Sequence, residues 1–386
     1  MTEAGAPALE IHTLTDGGQP TDTVAGWIAE FIDPARQTLD IALYDLAVSG
    51  RAEDTVVRAI RRAAERGVGA RLAYNVDDSN PIPVPPPPRT DVDLVEACGV
   101  PVKAIPGVPD LMHHKYLVRD EETVWTGSTN WTDDAWTREE NVIVVVRSPA
   151  IAAAYHRDFE ELWTTARVAG SGEFEGEPVP LQGSGLFDAD EIPIRGTVRA
   201  WFSPGRGRRL SHRIASAIGR ARRRIRVCSP VVTSGPILGT LAEVAATGAV
   251  DLTGVCDATQ MREVLHQWHV DGHALWKIPA FLSVMDKVPF SGKQSTPYAP
   301  EAVHDYMHAK LVVADDVVFV GSYNLSHSGE ENAENVLEIE DPGVAERLDA
   351  YVEAVRGRYP PLRLQDPGVL QPPTPNAPRV SVPPSG

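Results

Sequence analysis

A short motif that occurs twice constrains this chain more than any other sequence feature. The first copy contains, in order, His113, Lys115, Asp120, Gly127, Ser128 and Asn130. The second contains His308, Lys310, Asp315, Gly321, Ser322 and Asn324. The histidines lie 195 positions apart and the glycines 194, so the two copies keep a nearly constant register. A repeat with a period of half the chain predicts a duplicated domain.

The similarity continues beyond each motif. Glu140 lies ten positions after Asn130, and Glu334 lies ten positions after Asn324. An asparagine and an apolar run follow each glutamate. The equal spacing predicts that Glu140 and Glu334 occupy equivalent places in the two halves.

At 386 residues the chain is long enough for two domains, each with its own core. In both halves, a short apolar strand is followed by an amphipathic helix and a second strand. This order predicts an α/β fold in which each half has a mixed, mostly parallel sheet flanked by helices. The predicted divisions are an N-terminal lobe at 1–169, a connector at 170–197, a C-terminal lobe at 198–359 and a disordered Pro-rich tail at 360–386.

Two further segments carry unusual composition. Residues 77–93 are rich in proline and read as a stiff connection, with a wall or lid of the active site as the alternative. Residues 279–307 are interpreted as a long loop that contains several aromatic residues, and loops of that length are commonly functional. The cysteines at 98, 228 and 256 are few and widely spaced, which predicts reduced core thiols.

The net charge of −17 opposes long-range attraction to nucleic acid or to anionic membranes. An arginine block at 199–226 reverses this locally, and its part at 208–224 has helical periodicity. The block is either a solvated helix face or a surface for a phosphodiester polymer. The chain contains no apolar run of bilayer length and no secretory signal, so we expect a cytoplasmic protein that can contact membranes only peripherally.

Alternation along a strand places His113 and Lys115 on one face. Asp120 falls in the turn that follows, away from that face. Gly127 permits a close backbone approach, and Ser128 and Asn130 supply polar groups at the strand's end. Each copy therefore presents an imidazole, an ammonium and a carboxamide together.

This set of groups suits a phosphodiester. Lysine and asparagine side chains donate hydrogen bonds to phosphate oxygens, and two histidines can divide the roles of nucleophile and general acid. Glu140 and Glu334 are placed to hold the second nitrogen of a histidine and to fix its tautomer. Because lysines supply the positive charge, we expect no metal and no cofactor, and the histidines lack further ligands at zinc spacing.

The two motifs resemble the signature of the phospholipase D superfamily, His-x-Lys, four residues, Asp, six residues and Gly-Ser-x-Asn. The first copy matches at every position. In the second copy Asp315 lies only five residues before Gly321, which predicts a hairpin that is one residue shorter. The resemblance covers both halves of the chain.

The resemblance implies a bilobal fold whose two motifs meet in one cleft, so that the chain is a monomer built as an internal pseudo-dimer. It implies His113 as nucleophile, His308 as general acid and base, and a phosphohistidine intermediate. The predicted catalytic residues are His113, His308, Lys115, Lys310, Asn130, Asn324, Glu140 and Glu334. The predicted substrate-binding residues are Ser128, Ser322, Gly127, Gly321 and Trp131. Asp120 and Asp315 are predicted to be structural, and His114, on the opposite strand face, to have no special role.

The substrate remains open between a phospholipid, which two motifs in one chain favour slightly, and nucleic acid, which the arginine block favours. A small specialised phosphodiester is a further possibility. The enzyme would hydrolyse the ester or transfer the phosphoryl group to an alcohol. A phosphodiester-binding module without turnover is the alternative from another class.

Overall fold

The computed structural model describes residues 7–76, 90–107, 109–174, 176–299 and 302–365. The N-terminal lobe contains strands β1 (Leu9–Leu14), β2 (Thr38–Leu43), β3 (Leu46–Ala47), β4 (Gly69–Val76), β5 (Val102–Pro106), β6 (Lys115–Arg119), β7 (Thr123–Gly127), β8 (Trp131–Thr132) and β9 (Asn141–Arg147). Its helices are α1 (Thr21–Ile32), α2 (Gly50–Glu65), α3 (Val92–Ala97), α4 (Asp133–Thr137) and α5 (Pro149–Thr165).

The rest of the described chain repeats this plan. Its strands are β10 (Val179–Phe187), β11 (Asp190–Ser203), β12 (Arg224–Ser229), β13 (Asp251–Asp257), β14 (Phe290–Lys293), β15 (Leu311–Ala314), β16 (Val317–Gly321) and β17 (Glu334–Glu340). Its helices are α6 (Gly207–Arg220), α7 (Gly235–Thr247), α8 (Ala258–Asp271), α9 (Lys277–Lys287), α10 (His327–Glu331) and α11 (Pro342–Arg358).

Fifteen of the described strands form one continuous sheet in the order β14-β13-β12-β15-β16-β17-β11-β10-β1-β9-β7-β6-β2-β4-β5. Read from either edge, the sheet presents the same succession of strands, which confirms an α/β fold with two similar lobes. The three outermost strands of each lobe are parallel. The motif hairpins β6–β7 and β15–β16 and their neighbours are antiparallel, and β1 pairs in parallel with β10 at the centre, so the sheet is mixed and fewer of its pairs are parallel than we expected.

Three apolar cores hold the helices to the sheet. One core belongs to the N-terminal lobe beneath α1 and α2, and another belongs to the C-terminal lobe beneath α6, α7 and α9. The third is shared, because Phe159 of α5 and Leu348 and Val352 of α11 belong to one buried cluster. Each fully buried side chain of this size contributes roughly 1.5–3 kcal/mol, so the shared core fixes the lobes relative to each other.

Most of the segment predicted as a connector, residues 170–197, belongs to the continuous sheet. Strands β10 and β11 form a hairpin between the two lobes, and Leu181, Phe187 and Ile194 in it are buried. Glycines and acidic residues interrupt the alternation in the sequence, which is why the pattern suggested a linker. The hairpin makes the two half-sheets continuous.

Two other expectations need correction or fall outside the described residues. The segment 279–307 is not one long loop, since it contains most of α9 and all of β14. The proline-rich residues 77–89 and the tail beyond residue 365 lie outside the description, although Leu362 just before it is buried. Cys98, Cys228 and Cys256 are buried and free. None of the helices in the described ranges combines the length and apolarity that crossing a bilayer requires.

Candidate active site

Backbone contacts with the opposite lobe position the two histidines at the interface between the lobes. Met112, which precedes His113, forms an isolated parallel bridge with Ala333, and Met307, which precedes His308, forms one with Glu140. The His113 amide donates a hydrogen bond of 2.9 Å to the Ala333 carbonyl. Each motif is therefore held by the opposite lobe.

The motif aspartates hold the turns. Asp120 accepts hydrogen bonds from the three consecutive backbone amides of residues 36–38, at distances of 2.6–3.1 Å. Asp315 accepts from those of residues 222–224. Both aspartates have positive φ, 54° in each case. The first turn spans residues 120–122 and the second spans 315–316, so the missing residue of the second copy lies in the turn.

The motif glycines and serines face their neighbouring strands. A Cβ atom on Gly127 would lie 2.2 Å from the Val142 carbonyl oxygen, and one on Gly321 would lie 2.1 Å from that of Asn335. The Ser128 hydroxyl accepts from the Val142 amide at 3.0 Å. The Ser322 hydroxyl likewise accepts from the Asn335 amide at 3.0 Å.

These contacts correct the assignment of Gly127, Gly321, Ser128 and Ser322 to substrate binding, because all four secure the strands behind the site. Trp131 is also corrected. It is fully buried in the core of the N-terminal lobe, with its ring edge-on to Trp136.

Side chains from the opposite lobe hold both imidazoles. His113 Nδ1 lies 2.8 Å from Glu334 Oε2. His308 Nδ1 lies 3.2 Å from Asn141 Oδ1 and 3.3 Å from Glu139 Oε2. In each ring Nε2 is then the nitrogen left for chemistry, and the carboxylate partner orients the ring and fixes its tautomer.

The prediction that Glu140 holds a histidine is wrong. Gly127 pairs with Ile143 in the sheet and Gly321 pairs with Val336, so Asn141, not Glu140, occupies the position of Glu334. The segment between Asn130 and this position is one residue longer in the first copy. Equal spacing in the sequence therefore hid a one-residue shift, which turns Glu140 away from the site.

Glu140 instead forms a buried charge cluster. One of its carboxylate oxygens lies 3.0 Å from Lys293 Nζ, and the other accepts from the Tyr359 hydroxyl. Asp16 Oδ2 lies 3.3 Å from the same ammonium. The cluster joins strand β14 and the end of α11 to the N-terminal lobe.

The motif lysines lie at the centre of the site. Lys115 and Lys310 are almost completely buried, and each ammonium donates to the carbonyl of its own motif histidine, at 2.7 and 2.6 Å. Asn130 is buried too, and its Oδ1 has no hydrogen-bond partner within the described ranges. Asn324 is half-buried. The lysine ammonium groups and the NH₂ groups of the asparagine side chains are donors that suit the oxygens of a phosphate.

Burial controls the ionisation of these groups. It lowers the pKa of Lys115 to about 8 and that of Lys310 well below its ordinary value, and the charge of Lys115 lowers the pKa of Lys310 further. Burial and then the two lysines hold the pKa of His113 well below 6.5, and the pKa of His308 is lowered by the same causes. Both imidazoles are thus neutral at pH 7 in the free site.

Residues 28–163 and 214–356 both match the family model described as cardiolipin synthase, PLD-like domain. The chain belongs to the phospholipase D superfamily. Each matched region contains one complete motif of this superfamily, which confirms the resemblance drawn from the motif residues.

Curated relatives of this phospholipase D-like protein include mitochondrial cardiolipin hydrolases. The protein from Chlamydomonas reinhardtii is 24% identical over 143 residues, which are 37% of this chain and 59% of that protein. The human protein is 24% identical over 162 residues, 41% of this chain and 60% of that protein. The chain thus spans about three fifths of the length of these relatives.

Two solved structures share the fold. Phosphatidylserine synthase from Haemophilus influenzae Rd KW20 aligns with a TM-score of 0.58 at 13% identity, over 90% of this chain and 85% of that chain. Polyphosphate kinase from Porphyromonas gingivalis aligns with a TM-score of 0.56 at 11% identity, over 89% and 46% of the respective chains. At such low identity the likeness concerns the fold alone.

Sequence reasoning missed three residues of this phospholipase D-like site. They are Glu139, Tyr44 and Asp45. The ring centroid of Tyr44 lies 4.5 Å from that of His113 and 4.7 Å from Lys115 Nζ. The Asp45 carboxylate accepts a hydrogen bond from the Trp131 backbone amide. Burial raises the pKa of Asp45 to about 7. The signal for this pair was its place directly after β2, since ligand sites form at the carboxyl ends of parallel strands.

His114 has a role that its position on the opposite strand face concealed. Its Nε2 lies 3.0 Å from Asp158 Oδ2, and its Nδ1 lies 3.1 Å from Asn335 Nδ2. Tyr155 donates to the Asn335 side-chain oxygen at 3.0 Å. This fully buried network links α5 to the residue after Glu334, whereas the second motif has Ala309 in place of His114. The two halves therefore differ behind their histidines.

Part of the arginine block is neutralised within the protein. Arg213 pairs with Glu338, Arg223 with Asp316, and Arg224 with Asp349. Arg226 is buried and lies 2.5 Å from Asp349. Four of the ten arginines at 199–226 therefore form internal ion pairs, which weakens the argument from these four for a polymer-binding surface.

The one-residue shift generates a test on two adjacent glutamates. Glu139→Gln removes the carboxylate beside His308, so we expect kcat to fall about 10–100-fold while the fold is retained. Glu140→Gln weakens the Lys293 cluster, so we expect the free energy of unfolding to fall by about 2 kcal/mol or more, with a smaller effect on kcat. Steady-state kinetics and urea denaturation of both variants check this. A larger loss of kcat in Glu140→Gln would contradict the register described here.

Proposed function

We propose that this protein is a metal-independent phosphodiesterase that acts on a phospholipid through a phosphohistidine intermediate. One observation carries the proposal: each imidazole is held by a side chain of the opposite lobe, and the charges of both buried lysines act on both imidazoles. A single phosphodiester group placed there contacts catalytic groups from both lobes.

His113 is the proposed nucleophile. Glu334 accepts the proton on its Nδ1 at 2.8 Å, which leaves the Nε2 lone pair available to attack phosphorus. The new bond is N–P, and the bond from phosphorus to the leaving oxygen breaks. His308 Nε2 supplies the proton that this oxygen takes.

His308 must be protonated for this role, although it is neutral in the free site. The negative charge of the bound phosphodiester favours the imidazolium, and Glu139, 3.3 Å from Nδ1, favours it further in its ionised form. In the second step neutral His308 takes a proton from water or from an alcohol. That oxygen attacks phosphorus, the N–P bond breaks, and His113 is regenerated.

Lysine takes the place that a metal ion holds in many phosphoryl-transfer sites. Lys115 and Lys310 lie where charge develops on the non-bridging oxygens, with Asn130 and Asn324 as further donors. In a buried site these fixed charges act more strongly than they would in water. We therefore propose catalysis without a metal or cofactor.

A phospholipid is favoured over nucleic acid by two observations. The matching family model is described as cardiolipin synthase and the relatives as cardiolipin hydrolases. In addition, four arginines of the block that would attract a polymer, Arg213, Arg223, Arg224 and Arg226, form ion pairs within the protein. We propose a monomer that meets its substrate at a membrane surface. The cytoplasmic location stays a prediction from the sequence.

A burst experiment with bis(p-nitrophenyl) phosphate separates the histidines, because p-nitrophenolate leaves without a proton. We expect His308→Ala to release about one equivalent of p-nitrophenol per enzyme and then stall, because only the second step needs its base. His113→Ala should lose at least about 10³-fold in rate and show no burst. The exposed His269→Ala is the control.

The same assay in excess EDTA tests the proposed role of the lysines, and we expect the full rate. Phosphatidylcholine or cardiolipin vesicles and single- or double-stranded DNA then distinguish the substrates. Cleavage of DNA with no action on vesicles would contradict the lipid proposal. Binding of all these substrates without turnover of any would indicate a silent module.

The pKa shifts predict an unusual pH profile of kcat/KM. The acid limb reports protonation of His113, whose lowered pKa places the limb below pH 6.5. With bis(p-nitrophenyl) phosphate, whose leaving group needs no proton from His308, the alkaline limb reports loss of charge from the lysines, and the Lys115 pKa of about 8 places it at or below pH 8. We expect a bell-shaped curve between these values in stopped assays. An acid limb above pH 7 would show that burial and the lysine charges do not lower the pKa of His113 as described.

A further inference from the structure

Three aromatic rings form a stack on the loop between β14 and β15. His304 is the middle ring, with its centroid 5.5 Å from that of Tyr298 and 5.5 Å from that of Tyr306. The interplanar angles are 23° and 24°. The two tyrosines occupy the faces of the imidazole, so His304 can recognise a ligand only through its edge.

The stack is fixed beside the proposed general acid. The His304 amide donates to Asp134 Oδ2 at 3.0 Å, which ties the loop to α4 of the other lobe. Tyr306 lies two residues before His308. Burial and then the charge of Glu139 raise the pKa of Tyr306, so its hydroxyl stays protonated at neutral pH. Glu139 is the same carboxylate that lies beside His308.

Two polar atoms of the stack are buried without a partner. His304 Nε2 and Tyr306 Oη make no hydrogen bond to any residue in the part of the chain that the structure describes. His304 as a whole retains only 8% exposure. A buried polar group left in this state destabilises the fold, and native proteins keep few of them. A ligand that supplies hydroxyl groups would satisfy both atoms.

We propose that His304 and Tyr306 form a subsite for the alcohol that leaves or enters at phosphorus, and that the subsite selects alcohols with a second hydroxyl beside the reacting one. The inference rests on the proposed function, because the proton held by His308 defines where the reacting oxygen lies. A nucleobase would need an open ring face, whereas His304 offers an edge. A glycerol-like diol matches two hydrogen-bonding atoms at an edge.

In the transfer step the reacting hydroxyl gives its proton to His308 Nε2, and its oxygen forms the new bond to phosphorus. The N–P bond to His113 breaks. The neighbouring hydroxyl of the diol meanwhile bonds His304 Nε2 and Tyr306 Oη. An alcohol with one hydroxyl reacts by the same steps without these bonds.

The test measures how the phosphoenzyme formed from bis(p-nitrophenyl) phosphate divides between acceptors. Glycerol and 1-propanol compete at equal concentration, and the phosphodiester products are quantified by mass spectrometry. We expect the full-length protein to prefer glycerol about 10-fold, which corresponds to about 1.4 kcal/mol and lies within the contribution of one hydrogen bond. Tyr306→Phe and His304→Phe should each bring the product ratio close to that of the free alcohols.

Tyr298→Phe is the matched control, because it keeps the ring stacked on His304 and removes a hydroxyl outside the proposed subsite. It should keep the wild-type product ratio. If the wild type releases no p-nitrophenol, the proposed function itself fails. If it releases p-nitrophenol but shows no preference, or a preference that Tyr306→Phe leaves intact, only the subsite is overturned. Cytidine is added as a third competing alcohol. A preference for cytidine over glycerol in all variants would indicate base stacking and would likewise overturn the subsite.

Discussion

The site depends on one reciprocal interaction, in which a side chain of the opposite lobe holds the Nδ1 atom of each imidazole. Glu334 holds His113, and Asn141 with Glu139 holds His308. Such contacts require the lobes to keep a fixed distance and orientation. The continuous sheet through the β10–β11 hairpin and the core shared by α5 and α11 provide that rigidity. Neither lobe alone contains a complete pair of histidine and partner.

Burial of the charged groups of the site costs free energy, and it also shifts their pKa values. Two ammonium groups lie out of water beside the carboxyls of Asp45, Glu139 and Glu334, whose pKa values burial raises to about 7, 8 and 7 respectively. The free site therefore sits close to a balance between charged and neutral forms. A phosphodiester anion shifts this balance, since it stabilises both lysines and the imidazolium of His308. In the proposed mechanism, substrate binding therefore sets the protonation state that the first step needs.

The sequence was informative wherever a residue's role follows from its own strand. The position of Lys115 two residues after His113, the turn at Asp120 and the shorter second turn all follow from local geometry. It failed where the role depends on register between strands. Glu140 and Glu334 have equal spacing from their motifs, yet a one-residue difference in the preceding segment brings Glu139 and Asn141 to the histidine. Long-range partners such as Asp158 for His114 leave no local signal.

Soaking crystals with orthovanadate tests the central claim most directly, because vanadate adopts the five-coordinate geometry of phosphoryl transfer. The account predicts one vanadate with His113 Nε2 in an axial position, His308 Nε2 facing the opposite apical oxygen, and Lys115 and Lys310 both within hydrogen-bond distance of the equatorial oxygens. Vanadate bound by groups of a single lobe, or at a place that only one of the two histidines reaches, would contradict a shared site.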